Sequence, residues 1–178
     1  MKKDYLMYLW KAKGRHGTHS PFVYHFVEKV LRPKIGKPNN TSNSYILQLL
    51  IRTIRYCQFK TIVFWEVKNK EYWQQQLKEK LPQIQILFLN TSEIPQWENQ
   101  TLYVLEDLKT QRLQQLKKVE RKENLGIFSF NFHSSHLRQK IWPLFYQLPN
   151  FPLSIDLYNK GFLFQDSSFK IKQHFILK

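Results

Sequence analysis

From Thr61 onward, short apolar runs alternate with stretches whose apolar residues recur every three or four positions. The first run is Thr61–Val67, and the stretch after it has Trp73 and Leu77 four residues apart. Apolar runs of this length predict β-strands, and the stripes between them predict amphipathic helices. A strand-helix-strand order requires crossover connections, which favour a mainly parallel sheet with helices on both faces. The pattern therefore predicts an α/β domain.

The alternation continues to about residue 148 and then changes. Further strands are predicted at Gln83–Leu89, Leu102–Leu105 and Gly126–Phe132. From Pro152, three β-type segments follow one another with only short polar turns between them. Antiparallel strands need only such short turns, so we expect an antiparallel C-terminal strand pair added to a mainly parallel twisted sheet.

The segment before the sheet has helical periodicity throughout. Helices are predicted at Asp4–Lys13, after an N-cap at Ser20 with Pro21 in the first turn, and at about Ser44–Tyr56. At 178 residues with 42% hydrophobic residues, the chain suits one domain with its own core. We expect a single domain over 1–178, with an N-terminal helical segment at 1–56 and an α/β sheet core at 57–178.

The chain is strongly basic, with 28 Lys and Arg against 13 Asp and Glu, a net charge of +15. This charge would attract a polyanion such as nucleic acid, although charge alone also fits solvated cationic faces of a biased composition. One helix and the turn after it carry many of the cations, which we interpret as a solvated face in preference to a phosphate-binding stripe: Lys109, Arg112, Lys117, Lys118, Arg121 and Lys122. Apolar runs stay well below the roughly 18 residues that span a bilayer, and a cytoplasmic location is expected.

Three stretches carry a resemblance to known proteins. His16–Phe26 reads HGTHSPFVYHF, which is similar to the H-G-x-H-S-P-F-V helix start of a family of bacterial S-adenosylmethionine-dependent methyltransferases of the kind found in Bacteroidetes. The closing segments SIDLYNKGFLF and KQHFILK resemble the end of the same family. More weakly, His133, Ser135 and Trp142 match the spacing of a D-D-I-H-W-S segment and its downstream A-W. The resemblance implies a Rossmann-like class I methyltransferase fold of seven strands, the last of them antiparallel, preceded by helices.

The same resemblance implies cofactor-binding positions at Glu66, Asn69, Asn90 and Glu106. The family's E-L-G-T-S-L-G loop falls on Glu66–Tyr72, and both of its glycines are replaced, one of them by Lys68. No glycine occurs between Lys37 and Leu125, so that half of the chain has neither a G-x-G-x-x-G fingerprint nor a P-loop. Two lysines in this loop would each oppose the sulfonium charge by about 1 kcal/mol at contact distance.

These departures predict a degenerate methyltransferase that does not bind S-adenosylmethionine and is retained as a structural or interaction module. Two alternatives stay open. One is an active methyltransferase with a remodelled cofactor loop, and the other is a basic nucleic-acid-binding module.

Several single residues allow either a structural or a functional interpretation. His16 with His19, and His133 with His136, have a spacing that could ligate a metal, but helix capping is the preferred interpretation. Asp156 could be a site carboxylate, whereas a salt bridge or an exposed strand face is preferred. Aromatic residues on predicted apolar faces are expected in the core and not as stacking platforms for bases: Trp10, Trp65, Trp73, Phe88 and Phe130. The single cysteine, Cys57, excludes an internal disulfide and is expected to be buried.

Overall fold

The computed structural model describes residues 7–8, 10–12, 20–32, 42–90, 92–106, 108–130 and 136–177. Its helices are α1 (Pro21–Phe26, continued by a π-helical turn, Val27–Leu31), α2 (Ser42–Cys57), α3 (Lys70–Lys80), α4 (Thr110–Lys117) and α5 (His136–Tyr146). Its strands are β1 (Thr61–Trp65), β2 (Gln85–Leu89), β3 (Thr101–Leu105), β4 (Leu125–Phe130), β5 (Leu153–Asp156), β6 (Lys160–Gln165) and β7 (Gln173–Ile176). Over these ranges, the helices are too short or too polar for any of them to cross a bilayer.

The strands form one seven-stranded sheet in the order β2-β1-β3-β4-β6-β5-β7. Strands β2, β1, β3 and β4 are parallel to one another, and β6 is antiparallel to both of its neighbours. The predicted α/β architecture with a mainly parallel sheet is therefore confirmed, and the strand order is compatible with a Rossmann-like fold.

The last strand differs from the prediction. Strands β5 and β6 form the expected antiparallel pair, but β7 runs parallel to β5, with Leu153 opposite Gln173. Both edges of β6 are paired, one with β4 and the other with β5, so β7 pairs elsewhere. Because the short connection after β6 reverses the chain, β7 runs antiparallel to β6 and therefore parallel to β5. The free edge of β5 is the one that β7 takes.

Each face of the sheet has its own core. Side chains alternate along β1, so that Ile62 and Phe64 pack on one face while Val63 and Trp65 pack on the other. The first face is covered by α1, α2 and α3, and the second by α4 and α5. Strands β1, β3 and β4 are buried along their whole length, as expected for parallel strands enclosed on both sides.

The predicted caps and most predicted core aromatics are confirmed. The hydroxyl of Ser20 accepts a bond from the backbone N–H of Val23, and Pro21 begins α1. Trp65, Trp73 and Phe130 are buried, and Phe88 is half-buried with its ring centre 5.2 Å from that of Phe64. The prediction for Trp10 was wrong, because its side chain is 87% exposed and no element of the described fold covers it.

Candidate functional site

The four positions predicted to hold a cofactor lie at one edge of the sheet. Glu66 follows β1, Asn90 follows β2, Glu106 follows β3, and Asn69 precedes α3. Because β2, β1 and β3 are adjacent and parallel, their carboxyl ends meet at this edge, where nucleotide ligands bind in open α/β sheets. We call this region the carboxyl edge.

Glu66 is held by two cations. Its Oε1 accepts from Lys109 Nζ at 2.5 Å, and its Oε2 accepts from Arg112 Nη2 at 2.9 Å. Arg112 is almost fully buried, with its guanidinium 3.8 Å from the ring centre of Trp65. Its Nη1 also donates to the side-chain oxygen of Gln115. The carboxylate of Glu66 is therefore bound to α4 and the residue before it.

The backbone polar groups of the loop after β1 also have protein partners. The N–H of Lys68 donates to the carboxylate of Glu106 at 2.7 Å, and the carbonyl of Lys68 accepts from the indole of Trp73 at 3.1 Å. Backbone N–H groups at this place are the ones that bind phosphates and cofactors in related architectures. In this chain a carboxylate of the protein already uses one of them.

The other two predicted positions, Asn90 and Asn69, also form hydrogen bonds within the protein. The side-chain oxygen of Asn90 accepts from Lys70 Nζ at 3.0 Å, and its backbone N–H donates to Glu93 at 2.5 Å. Asn69 is the residue before α3 and forms no side-chain capping bond, while its carbonyl accepts from the N–H of Trp73 at 3.3 Å. The carboxyl edge therefore combines one ion-paired carboxylate with hydrogen bonds among the protein's own groups.

The loop bends at positions that the lost glycines do not explain. Glu66 and Asn69 have φ angles of 60° and 54°, in the left-handed region that costs roughly 1–2 kcal/mol for most residues. Neither coincides with Lys68, where the resemblance places a family glycine. Asparagine tolerates this conformation better than other side chains, and Glu66 is held in it by its two ion pairs.

Sequence reasoning missed the partners of Glu66. Lys109 and Arg112 were assigned to a solvated cationic face, but the structure pairs both with a carboxylate more than 40 residues upstream. Their i, i+3 spacing carries no signal of such a distant partner. The solvated interpretation does hold for Lys117, Lys118 and Arg121, which are exposed.

Asp156 fits neither part of its preferred interpretation. It is buried at the end of β5, where its oxygens accept from the indole of Trp142 at 3.1 Å and from the N–H of Tyr158 at 2.8 Å. Burial raises the pKa of Asp156 to about 7, and these two bonds only partly offset it. The phenol of Tyr8 donates to the backbone carbonyl of Asp156 itself and to that of Leu177.

The side chains of the two predicted histidine pairs fall outside the part of the chain that the structure describes. His16, His19 and His133 lie outside the described residues, as does the side chain of His136. Within the described part of the chain, no three His, Cys, Asp or Glu residues are close enough to hold a metal ion.

Comparisons with protein-family models, with curated proteins and with solved structures found no match to this chain.

Proposed function

We propose that this chain is a methyltransferase-like protein that no longer holds S-adenosylmethionine and serves as a structural or interaction module. The sequence resemblance at both ends supports the ancestry. The topology is in keeping with it: helices precede a mainly parallel seven-stranded sheet in which β6 is antiparallel. The proposal depends most on one observation, the occupation of the carboxyl edge by the protein's own ion pairs and hydrogen bonds.

The residues present at this edge do not fit the cofactor. Hydrogen bonds between a carboxylate and a sugar hydroxyl contribute about 1.5–3 kcal/mol. Freeing Glu66 for such bonds would separate it from Arg112, and breaking a buried ion pair costs about 3–5 kcal/mol. Glu66 keeps 27% of its side chain exposed, so the lower end of that range applies. The cost therefore equals or exceeds the gain from one such bond.

The positive charge of the loop also opposes binding of the cofactor. Lys68 and Lys70 flank the loop, and each would repel a sulfonium cation by about 1 kcal/mol at contact distance in water. Asn90 offers one amide oxygen where a carboxylate would accept two bonds, and Lys70 already donates to that oxygen.

Calorimetric titration of the full chain with S-adenosylmethionine tests the proposal. We expect no saturable binding up to about 1 mM, with a functional methyltransferase titrated in the same buffer as the positive control. S-adenosylhomocysteine, which lacks the sulfonium charge, separates charge repulsion from occupation of the site. Micromolar binding of either ligand would overturn the proposal and favour an active methyltransferase with a remodelled loop.

A second candidate function is the binding of a polyanion. It is favoured by the exposed cations at the end of α4: Lys117, Lys118 and Arg121 form no ion pair with any carboxylate in the described ranges. Contacts with phosphates would make binding fall steeply with salt. Fluorescence titration of RNA and DNA oligonucleotides between 50 and 200 mM salt tests this, and affinity independent of salt would exclude it.

A further inference from the structure

A cavity of about 320 Å³ opens at the opposite end of the sheet. It lies where α2 ends, beside the start of β4 and the end of β6, and we call it the amino-edge cavity. Its walls combine four aromatic side chains with one carboxylate: Phe22, Tyr56, Phe164, Phe169 and Asp166. None of these residues belongs to the carboxyl edge.

The aromatic walls are arranged around Phe22. Its ring centre lies 5.4 Å from that of Tyr56, 5.4 Å from that of Phe164 and 5.0 Å from that of Phe169. The last two rings stand at 68° and 78° to Phe22, so they pack against it edge to face. The phenol of Tyr56 donates to the carbonyl of Phe22 at 3.1 Å, which fixes these two residues relative to each other.

The carboxylate of Asp166 is held in place by backbone groups. Its Oδ2 accepts from the N–H of Asn124 at 3.1 Å, and its Oδ1 accepts from the N–H of Ser168 at 2.9 Å. Over the ranges that the structure describes, no lysine or arginine forms an ion pair with Asp166, although the chain carries a net charge of +15.

No other residue that lines the cavity is charged. Asp166 is the one acidic residue among those that line it. Desolvation, and to a lesser extent the charge of Asp166, raises the pKa of the Cys57 thiol, so that this group stays protonated and neutral. The cavity thus combines aromatic walls with one fixed negative charge.

We propose that the amino-edge cavity binds an alkylated ammonium cation, such as a quaternary trimethylammonium group. Aromatic faces attract cations, and weakly hydrated alkylammonium ions lose less on leaving water than a bare ammonium does. The cavity volume is at the lower end for ligand sites, which suits a head group with a short stem.

The test uses the full chain and a pair of isosteric probes. Choline and 3,3-dimethyl-1-butanol have the same shape, but only choline is charged. In a two-dimensional amide NMR titration at constant ionic strength, we expect choline to shift the resonances of Gln58, Asn124 and Ser168 with millimolar saturation. The amide of Lys68 should not move, and the neutral probe should bind at least tenfold more weakly. Equal binding of the neutral probe, or shifts without saturation, would overturn the proposal.

Two variants sharpen this result. Asp166→Asn should weaken choline binding at least tenfold, whereas Glu71→Gln removes the same charge from an exposed position at the other edge and should have no effect. Asp166 also binds two backbone N–H groups, so its substitution could unfold the chain. Phe169→Leu therefore provides a second variant, because it keeps an apolar side chain while removing a ring, and we expect a severalfold loss. Wild-type affinity in Phe169→Leu, or in a folded Asp166→Asn, would contradict the proposal whatever the fate of S-adenosylmethionine binding.

Discussion

The carboxylates at the two edges of the sheet have different kinds of partner. At the carboxyl edge, Glu66 is bound by Lys109 and Arg112, and Glu106 is bound by the backbone of Lys68. At the amino edge, Asp166 is oriented by backbone N–H groups and forms no ion pair with a described lysine or arginine. Position after a strand is therefore a weak sign of a binding site in this protein. The stronger sign is a charge that faces a cavity without a counter-ion.

Asp156 gives a third case at the end of β5. It is enclosed, as Glu66 partly is, but no ion pair joins it to a described cation. Neutral donors, an indole and a backbone N–H, contact its oxygens instead. Burial without a counter-ion explains why its pKa is raised to about 7. The three carboxylates thus differ in how the protein compensates their charge.

The largest effect that tests this comparison is the pH dependence of stability at Asp156. Its folded-state pKa of about 7 exceeds the ordinary value of 3.8, so the folded state binds the proton more tightly than the unfolded state does. The stabilisation by this proton is complete below about pH 4 and is lost as pH rises towards 7. In Asp156→Asn this loss is absent. Relative to wild type, the free energy of unfolding of the variant should therefore rise by up to about 4 kcal/mol between pH 4 and pH 8.

Urea unfolding of both proteins at several pH values measures this difference. Other titrating groups cancel, among them His174, whose pKa burial lowers to about 4. A difference between variant and wild type that stays constant from pH 4 to pH 8 would mean that Asp156 is charged in the folded protein.

The next effect concerns the ion pair that closes the carboxyl edge. Arg112→Ala should lower the free energy of unfolding by about 3 kcal/mol, because it removes a buried guanidinium and leaves Glu66 with Lys109 alone. Lys117→Ala, at the exposed end of the same helix, should change it by less than about 0.5 kcal/mol. Similar losses in the two variants would mean that the Glu66–Arg112 pair has no special role.

The sequence was sufficient for the architecture but not for these charge pairs. The strand and helix order from Thr61 to Leu148 follows from local hydrophobic period, and the structure has it with ends shifted by only a few residues. The direction of β7 was predicted wrongly because it depends on which strand β7 pairs with. That choice depends on which strand edges are free in the whole sheet, and the sequence of β7 does not indicate it. Trp10 was assigned to the core for a related reason, since a helical stripe predicts a buried face only where another element covers it.

The candidate site was predictable in location only. Residues after β1, β2 and β3 had to meet at one edge once the strands were parallel, and Glu66, Asn90 and Glu106 do so. Which groups bind them was not predictable, because Arg112 lies 46 residues from Glu66. The amino-edge cavity was missed entirely, since Phe22, Tyr56 and Asp166 come from three separate elements and form no local motif.

A smaller effect is expected at the loop after β1. Glu106→Ala should cost about 1 kcal/mol of stability, because it removes one partly solvated hydrogen bond between a carboxylate and the N–H of Lys68. The same substitution should speed hydrogen exchange of that amide, measured by NMR. Glu120→Ala, which removes an exposed carboxylate in the turn after α4, is the control and should change neither quantity. Unchanged exchange at Lys68 in Glu106→Ala would contradict the occupation of the loop.

The smallest structural effect distinguishes paired from unpaired cations. Lys117 and Lys118 are exposed and form no ion pair with a described carboxylate, whereas Lys109 is bound to Glu66. Replacing both Lys117 and Lys118 by Ala should leave stability within about 0.5 kcal/mol of wild type. If these cations contact phosphates, the same change should reduce the slope of log affinity for RNA against log salt by up to about 2. Lys109→Ala should leave that slope unchanged, because Lys109 Nζ is bound to Glu66 and does not contact a phosphate. A slope that responds to Lys109 and not to the exposed pair would mean that the carboxyl edge opens to meet a polyanion.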